Sequence, residues 1–123
     1  MIHSLVILCV KKIKGLFSLI RFELPLAAGI CVVLGQLFAL GYFAPLYLTL
    51  TSALSVFFIS ASILVINDYF DIKTDKINAP NRPLPSGLVS PAQALALALF
   101  LSLSGLILSL TISITALLFS IGL

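Results

Sequence analysis

The chain has 123 residues, of which 61% are hydrophobic and 9% charged, with a net charge of +3 and a mean hydropathy of +1.26. Soluble domains carry about a quarter charged residues, so there is too little polar side chain here to coat a water-soluble globule; a soluble enzyme, a nucleic-acid binder, a disordered linker and a disulfide scaffold are excluded. Five charges lie between Lys11 and Glu23 and six between Asp68 and Arg82, leaving residues 24–66 and 83–123 charge-free, which is the map of an all-α, polytopic membrane bundle with its chemistry in two polar islands.

Residues 1–15 read as something other than a signal peptide. The apolar run at residues 5–10 precedes the lysines, the reverse of the usual order, so an interfacial helix leading into the first span is expected. A spanning helix needs about 20 apolar residues, so residues 24–66 fit two spans, near 24–40 and 46–70, joined by the turn Gly41-Tyr42-Phe43-Ala44-Pro45. The runs do not alternate with period two, which argues against strands. Cys9 and Cys31 have no spacing that suggests a disulfide or zinc site. A motif loop over 67–90 follows.

Ser90-Pro91-Ala92-Gln93 then reads as a helix start, with Ser90 as cap, Pro91 at the first helical position and Gln93 as its capping-box partner. The third span is placed near 91–110, ended by a weak break at Ser109-Leu110-Thr111-Ile112-Ser113. Residues 112–123 make only about 18 Å of helix and are expected to be an incomplete fourth span, the end of the chain reading as a cut; one long helix from Pro91 is the alternative. Lys11, Lys12, Lys14 and Arg21 before span one and Lys73, Lys76 and Arg82 after span two share one side. The positive-inside rule makes that side cytoplasmic, and with it the N-terminus and motif loop of a multi-pass plasma-membrane protein. The positive charge therefore points to membrane lipid and not to nucleic acid.

The informative text is Asn67-Asp68-Tyr69-Phe70-Asp71-Ile72-Lys73-Thr74-Asp75-Lys76-Ile77-Asn78. If the helix of span two continues through it, Asn67, Asp71, Asp75, Asp68 and Asn78 fall within an arc of about 100°, and Lys73 and Lys76 project elsewhere. Like charges one turn apart at a helix C-terminus, partly desolvated, are unfavourable by themselves. A divalent cation relieves all three penalties. Oxygen ligands select Mg²⁺ or Ca²⁺, and Mg²⁺ commonly takes one or two carboxylates and fills its remaining positions with water and substrate phosphate. A Mg²⁺–diphosphate site is the expectation; a solvated helix end is the bland alternative, and an EF-hand is excluded by the spacing. The three prolines of Asn78-Ala79-Pro80-Asn81-Arg82-Pro83-Leu84-Pro85-Ser86-Gly87 stiffen the next stretch, so Arg82 is a candidate diphosphate clamp as well as a candidate headgroup anchor. Lys73 and Lys76 read first as anchors, with Lys73 also a candidate diphosphate contact. Tyr69 and Phe70 read as lipid-facing or packing residues, or as rings shielding a cationic allylic fragment.

At these residues the sequence resembles the UbiA-type family of intramembrane prenyltransferases: residues 67–75 match its first aspartate-rich motif and residues 78–87 its Asn-Arg-Pro loop. Arg21-Phe22-Glu23-Leu24-Pro25-Leu26-Ala27-Ala28-Gly29 is similar to the start of the archaeal branch that makes digeranylgeranylglyceryl phosphate. The resemblance implies a bundle of nine spans, about four of them in this chain. It also implies transfer of a prenyl group from its diphosphate with Mg²⁺ as cofactor. It places Asn67, Asp71 and Asp75 on the metal and diphosphate, Asp68 in support, Arg82 on the diphosphate and Arg21 toward the acceptor, where the commoner family pattern is Arg-Pro and not Arg21-Phe22. In the archaeal branch the acceptor is a lipid phosphate, geranylgeranylglyceryl phosphate; in others it is an aromatic quinone precursor or a chlorophyllide. No Asp or Glu follows Asp75, so the family's second aspartate-rich motif is missing. The expectation is an N-terminal half-site, inactive alone, from a fragment, a truncated frame or a split enzyme completed by a second chain. The rival from another class is a non-catalytic membrane subunit or cation-transporter fragment, though transporters place their acids mid-span.

Overall fold

The structure, a computed structural model, describes residues 1–120, with side chains described through residue 114. It is all-helical in the described residues: α1 Ile2–Ile20, α2 Glu23–Leu40, α3 Leu46–Phe70, α4 Ile72–Asn78 and α5 Pro91–Ser120. Three of these helices are long and apolar enough to cross a membrane, over Glu23–Leu40, Leu46–Phe70 and Pro91–Ile114. The chain is a multi-pass membrane protein.

Helix ends fall where backbone chemistry puts them. Gly41 ends α2 with φ 73°, its N–H bonded to the Leu37 carbonyl at 2.9 Å, and Pro45 precedes α3. At the start of α5 the Ser90 hydroxyl accepts the Gln93 N–H (3.2 Å) while the Gln93 side chain accepts the Ser90 N–H (3.1 Å), a reciprocal capping box. The break expected at 109–113 is absent: α5 runs on to Ser120, so the described residues hold three apolar spans where about four were expected. Within that segment Thr111 donates to the Leu108 carbonyl (2.7 Å), a bond to its own helix that competes only locally and does not interrupt it. Of the expected incomplete span, residues 121–123 lie outside the described residues.

α3 is the central helix, packed against α2 on one side and α5 on the other. Small residues allow the close approach that membrane helices use in place of a hydrophobic driving force. Ala61, Ala94 and Ala98 are buried, and Ser55 and Ser62 donate across to the Gly105 and Ala98 carbonyls at 2.8 and 2.9 Å. Gly105 has no room for a methyl group: a Cβ there would stand 2.6 Å from Ile59 and 3.0 Å from the Ser55 carbonyl. Between α2 and α3, Gly29 lies against Ala53 and Gln36 donates to Ser52 at 3.0 Å. The large apolar side chains face outward, among them Leu34, Phe38, Leu99 and Phe100, as lipid contact requires.

α1 extends past the interfacial helix expected over 1–15 and docks its last turns on the loop end of the bundle. Leu19 and Ile20 are buried with Val65, Leu84 and Val89, and Gly15 meets Leu88 and Val89. This small core fixes α1, the motif loop and the end of α3 against one another.

Candidate functional site

The polar text 67–82 occupies the loop end of α3. The chain does not pass through it as one uninterrupted helix: α3 ends at Phe70, Asp71 takes φ −88° and ψ 7°, and α4 starts at Ile72. The hydrogen-bond register survives the junction. Asp71 N–H bonds to the Asn67 carbonyl (3.0 Å), Asp75 N–H to that of Asp71 (2.8 Å) and Ala79 N–H to that of Asp75 (2.8 Å). Asn67, Asp71 and Asp75 therefore still rise one turn apart along one side.

The surroundings divide this acidic arc. Asp68 and Asp75 are buried, 6% and 8% exposed, while Asn67 and Asp71 are exposed. The buried pair meets two arginines. Arg21 Nη2 donates to Asp68 Oδ1 at 2.8 Å; Arg82 Nη1 donates to Asp75 Oδ2 at 3.1 Å and stands 4.0 Å from Asp68 Oδ1. The result is a neutral four-membered chain, Arg21–Asp68–Arg82–Asp75, that ties the α1–α2 junction to α3, α4 and the motif loop. A carboxylate this far from water at the end of a membrane helix needs such partners. Each arginine commits a single nitrogen to these pairs and keeps the rest of its fork of five N–H donors.

Two of these contacts depend on special backbone. Arg21 caps α1 in the left-handed region, with φ 50° and ψ 67°, the one non-glycine residue with positive φ among those described. That conformation is strained for an L side chain and turns the chain from α1 into α2 within two residues. Arg82 is carried by a loop tied by its own backbone: Ser86 N–H to the Arg82 carbonyl (3.0 Å), Gly87 N–H to Leu84 (3.2 Å) with Gly87 at φ 80°, and Val89 N–H to Pro83 (3.0 Å).

Asn67 and Asp71 make no side-chain hydrogen bond or ion pair among the described residues. No three His, Cys, Asp or Glu side chains among them stand close enough to hold a metal. Two uncommitted oxygen donors one helical turn apart, with Asp75 a turn further on, fit a hard cation that draws its remaining ligands from water and phosphate. Lys73 is not brought to the arginines. With Lys76, Tyr69, Phe70, Ile72 and Pro91 it lines a separate groove of about 460 Å³, and Tyr69 and Phe70 pack edge to face there at 5.4 Å. The Arg21–Asp68 pair was not anticipated, although two opposite charges at the same end of two adjacent apolar spans are candidates for pairing. A cleft of about 190 Å³ between α2 and α3 is lined by apolar side chains, among them Leu26, Ile30, Leu54 and Phe57; the Phe57 ring meets that of Phe22, the neighbour of Arg21, at 5.9 Å with the rings tilted.

A model of the UbiA prenyltransferase family matches residues 28–123. The digeranylgeranylglyceryl phosphate synthase of Sulfurisphaera tokodaii is 39% identical over 106 residues, which cover 85% of this chain and 38% of that protein. Those of Saccharolobus solfataricus (38% identical; 86% and 38% covered) and Methanocaldococcus jannaschii (38% identical; 85% and 37% covered) are similar to the same extent. A solved structure from work on digeranylgeranylglyceryl phosphate synthase in membranes is 38% identical with a TM-score of 0.79, covering 89% of this chain and 39% of that one. The chain thus spans less than two-fifths of the length of these relatives.

Proposed function

The chain belongs to the UbiA prenyltransferase family, and from that premise we propose that it supplies the first acidic motif of a Mg²⁺-dependent prenyltransferase acting in archaeal ether-lipid synthesis. The donor is geranylgeranyl diphosphate and the acceptor the free hydroxyl of a lipid phosphate, geranylgeranylglyceryl phosphate. What carries the reading is the pair of unpartnered oxygen donors, Asn67 and Asp71, beside the arginine–carboxylate chain.

Bound Mg²⁺ supplies charge neutralisation of the diphosphate as its allylic C–O bond breaks. Asn67 and Asp71 hold it, with Asp75 the third ligand candidate. Arg82, 45% exposed at its side chain and with most of its donors uncommitted, reaches the diphosphate without giving up Asp75. Asp68, buried and shared by both arginines, is a positioning residue: it holds Arg21 and Arg82 in place. The apolar α2–α3 cleft, running from the Phe22–Phe57 contact beside Arg21, gives the isoprenoid chain a water-excluding surface. Arg21, next in the chain to Phe22, is assigned to the acceptor side. Lys73 meets the headgroup layer. The motif end faces the cytoplasm, following the lysines. The second acidic motif comes from another stretch of protein, in the same polypeptide or a second chain, so the 123 residues alone bind donor without turnover.

The test is equilibrium binding of labelled geranylgeranyl diphosphate to the chain in lipid nanodiscs. Binding is expected to need Mg²⁺ and to fall at least tenfold with EDTA. Equal binding with and without the metal removes the proposal.

A further inference from the structure

We propose that the groove between α1 and the motif loop is a binding site for the headgroup of an anionic membrane phospholipid. The groove, about 380 Å³, is lined by Lys11, Lys14 and Ser18 of α1 and by Asn81, Pro83 and Leu88 of the loop. It exists because Gly15 lets α1 press onto the loop: a Cβ there would stand 3.0 and 3.1 Å from Leu88 and Val89.

Its charge is uncompensated. The buried carboxylates, Asp68 and Asp75, are taken by Arg21 and Arg82, and among the described residues no carboxylate, Glu23 and Asp71 included, forms an ion pair with Lys11 or Lys14. The Asn81 side chain likewise has no hydrogen-bond partner among the described residues. Lys11, Lys14 and Asn81 thus share one open, largely apolar concavity, and ammonium and amide donors suit phosphate oxygens. The site is also amphiphilic. Val6, Val10, Ile13 and Phe17 recur at helical spacing, each about half exposed, and this stripe lies about 100° round the helix from Lys11, Lys14 and Ser18. α2 begins at Glu23, three residues beyond the end of α1, and crosses the bilayer, so α1 is held at the membrane surface. There the stripe meets acyl or isoprenoid chains while the lysines stay among headgroups. A free anion would use the lysines and leave the stripe unexplained; a lipid uses both. Asn81 and Pro83 flank Arg82, so an occupant of the groove also bears on the loop that carries this arginine. Such binding requires only the membrane placement of α2, not prenyl transfer.

The experiment is native mass spectrometry of the detergent-solubilised chain titrated with phosphatidylglycerol, phosphatidylcholine or inorganic phosphate. Phosphatidylglycerol is expected to be retained over phosphatidylcholine. Lys11→Gln with Lys14→Gln lowers its affinity about fivefold per lysine, roughly 25-fold together, at unchanged helical circular dichroism. Lys12→Gln removes the same charge from a side chain that does not line the groove and is expected to leave retention close to that of the unaltered chain, which separates a local site from general surface charge. Asn81→Asp keeps both lysines, places a carboxylate in the groove and also weakens retention, an independent variant should the double change disturb folding. The proposal is overturned if Lys12→Gln weakens retention as much as the groove variants, since the effect is then bulk charge. It is equally overturned if inorganic phosphate displaces the lipid at matching concentration.

Discussion

Removing either member of the Arg21–Asp68 pair destabilises the bundle unequally. The contact is 2.8 Å, with the Asp68 side chain 9% exposed and that of Arg21 33% exposed. Charge centres about 4 Å apart attract by about 4 kcal/mol at an effective dielectric of 20. Desolvation of the buried carboxylate and water at the exposed arginine offset most of that, leaving a net coupling of about 1–2 kcal/mol. Arg21→Gln strands the buried acid with only Arg82, 4.0 Å away, and is expected to cost about 2–3 kcal/mol. Asp68→Asn leaves two arginines that reach water and keeps an acceptor oxygen, so it costs about 1–2 kcal/mol. Glutamine is the replacement at Arg21 because it bears the same left-handed backbone strain, which then cancels. A double-mutant cycle read by reversible SDS titration in mixed micelles measures both quantities. If Asp68→Asn proves the costlier change, or the coupling falls below about 0.3 kcal/mol, the buried-acid argument is wrong.

Asp71→Asn, which removes a charge that nothing in the described residues pairs, should abolish Mg²⁺-dependent binding of geranylgeranyl diphosphate while leaving thermal stability within about 0.5 kcal/mol; intact metal-dependent binding by this variant rejects its ligand role. Gly105→Ala must push Ile59 and the Ser55 carbonyl aside and should cost about 1–3 kcal/mol, whereas Gly35→Ala, with nothing within 4 Å of its Cβ, should be neutral or stabilising; melting curves of the two variants decide. Ser90→Ala breaks the capping box of α5 and should lower stability by about 1 kcal/mol, with faster amide exchange confined to the first turn after Pro91.

The spans and their turn were legible because apolar length and Gly41-Tyr42-Phe43-Ala44-Pro45 carry their own backbone consequences: α2 and α3 occupy the expected segments, and Gly41 adopts positive φ. The capping box was legible because Ser90 and Gln93 satisfy each other within four residues. What failed was a local inference with a competing local answer. The hydroxyls near residue 110 suggested a break, yet α5 runs through them as the one long helix that was the alternative, with Thr111 bonded back to its own helix. The Asp71 junction also escaped notice, since one residue with ψ 7° leaves no mark in composition.

The acidic stripe shows where periodicity stops being informative. Helical spacing put Asn67, Asp68, Asp71 and Asp75 on one arc, and the register of backbone bonds keeps Asn67, Asp71 and Asp75 aligned through the junction. Spacing says nothing of what stands opposite each residue. That depends on Arg21, 47 positions from Asp68, reaching it through a strained turn, and on Arg82 returning to Asp75 by way of a loop anchored on Leu84 and Val89. In a chain this poor in charge, each buried acid must find a cation at the same end of the bundle, and Arg21 and Arg82 are the ones that reach them. Once the two arginines are spent on Asp68 and Asp75, Asp71 is left facing outward with Asn67 one turn away. Asp71 thus stays exposed and without an ion pair among the described residues, while the two buried acids are held by the arginines.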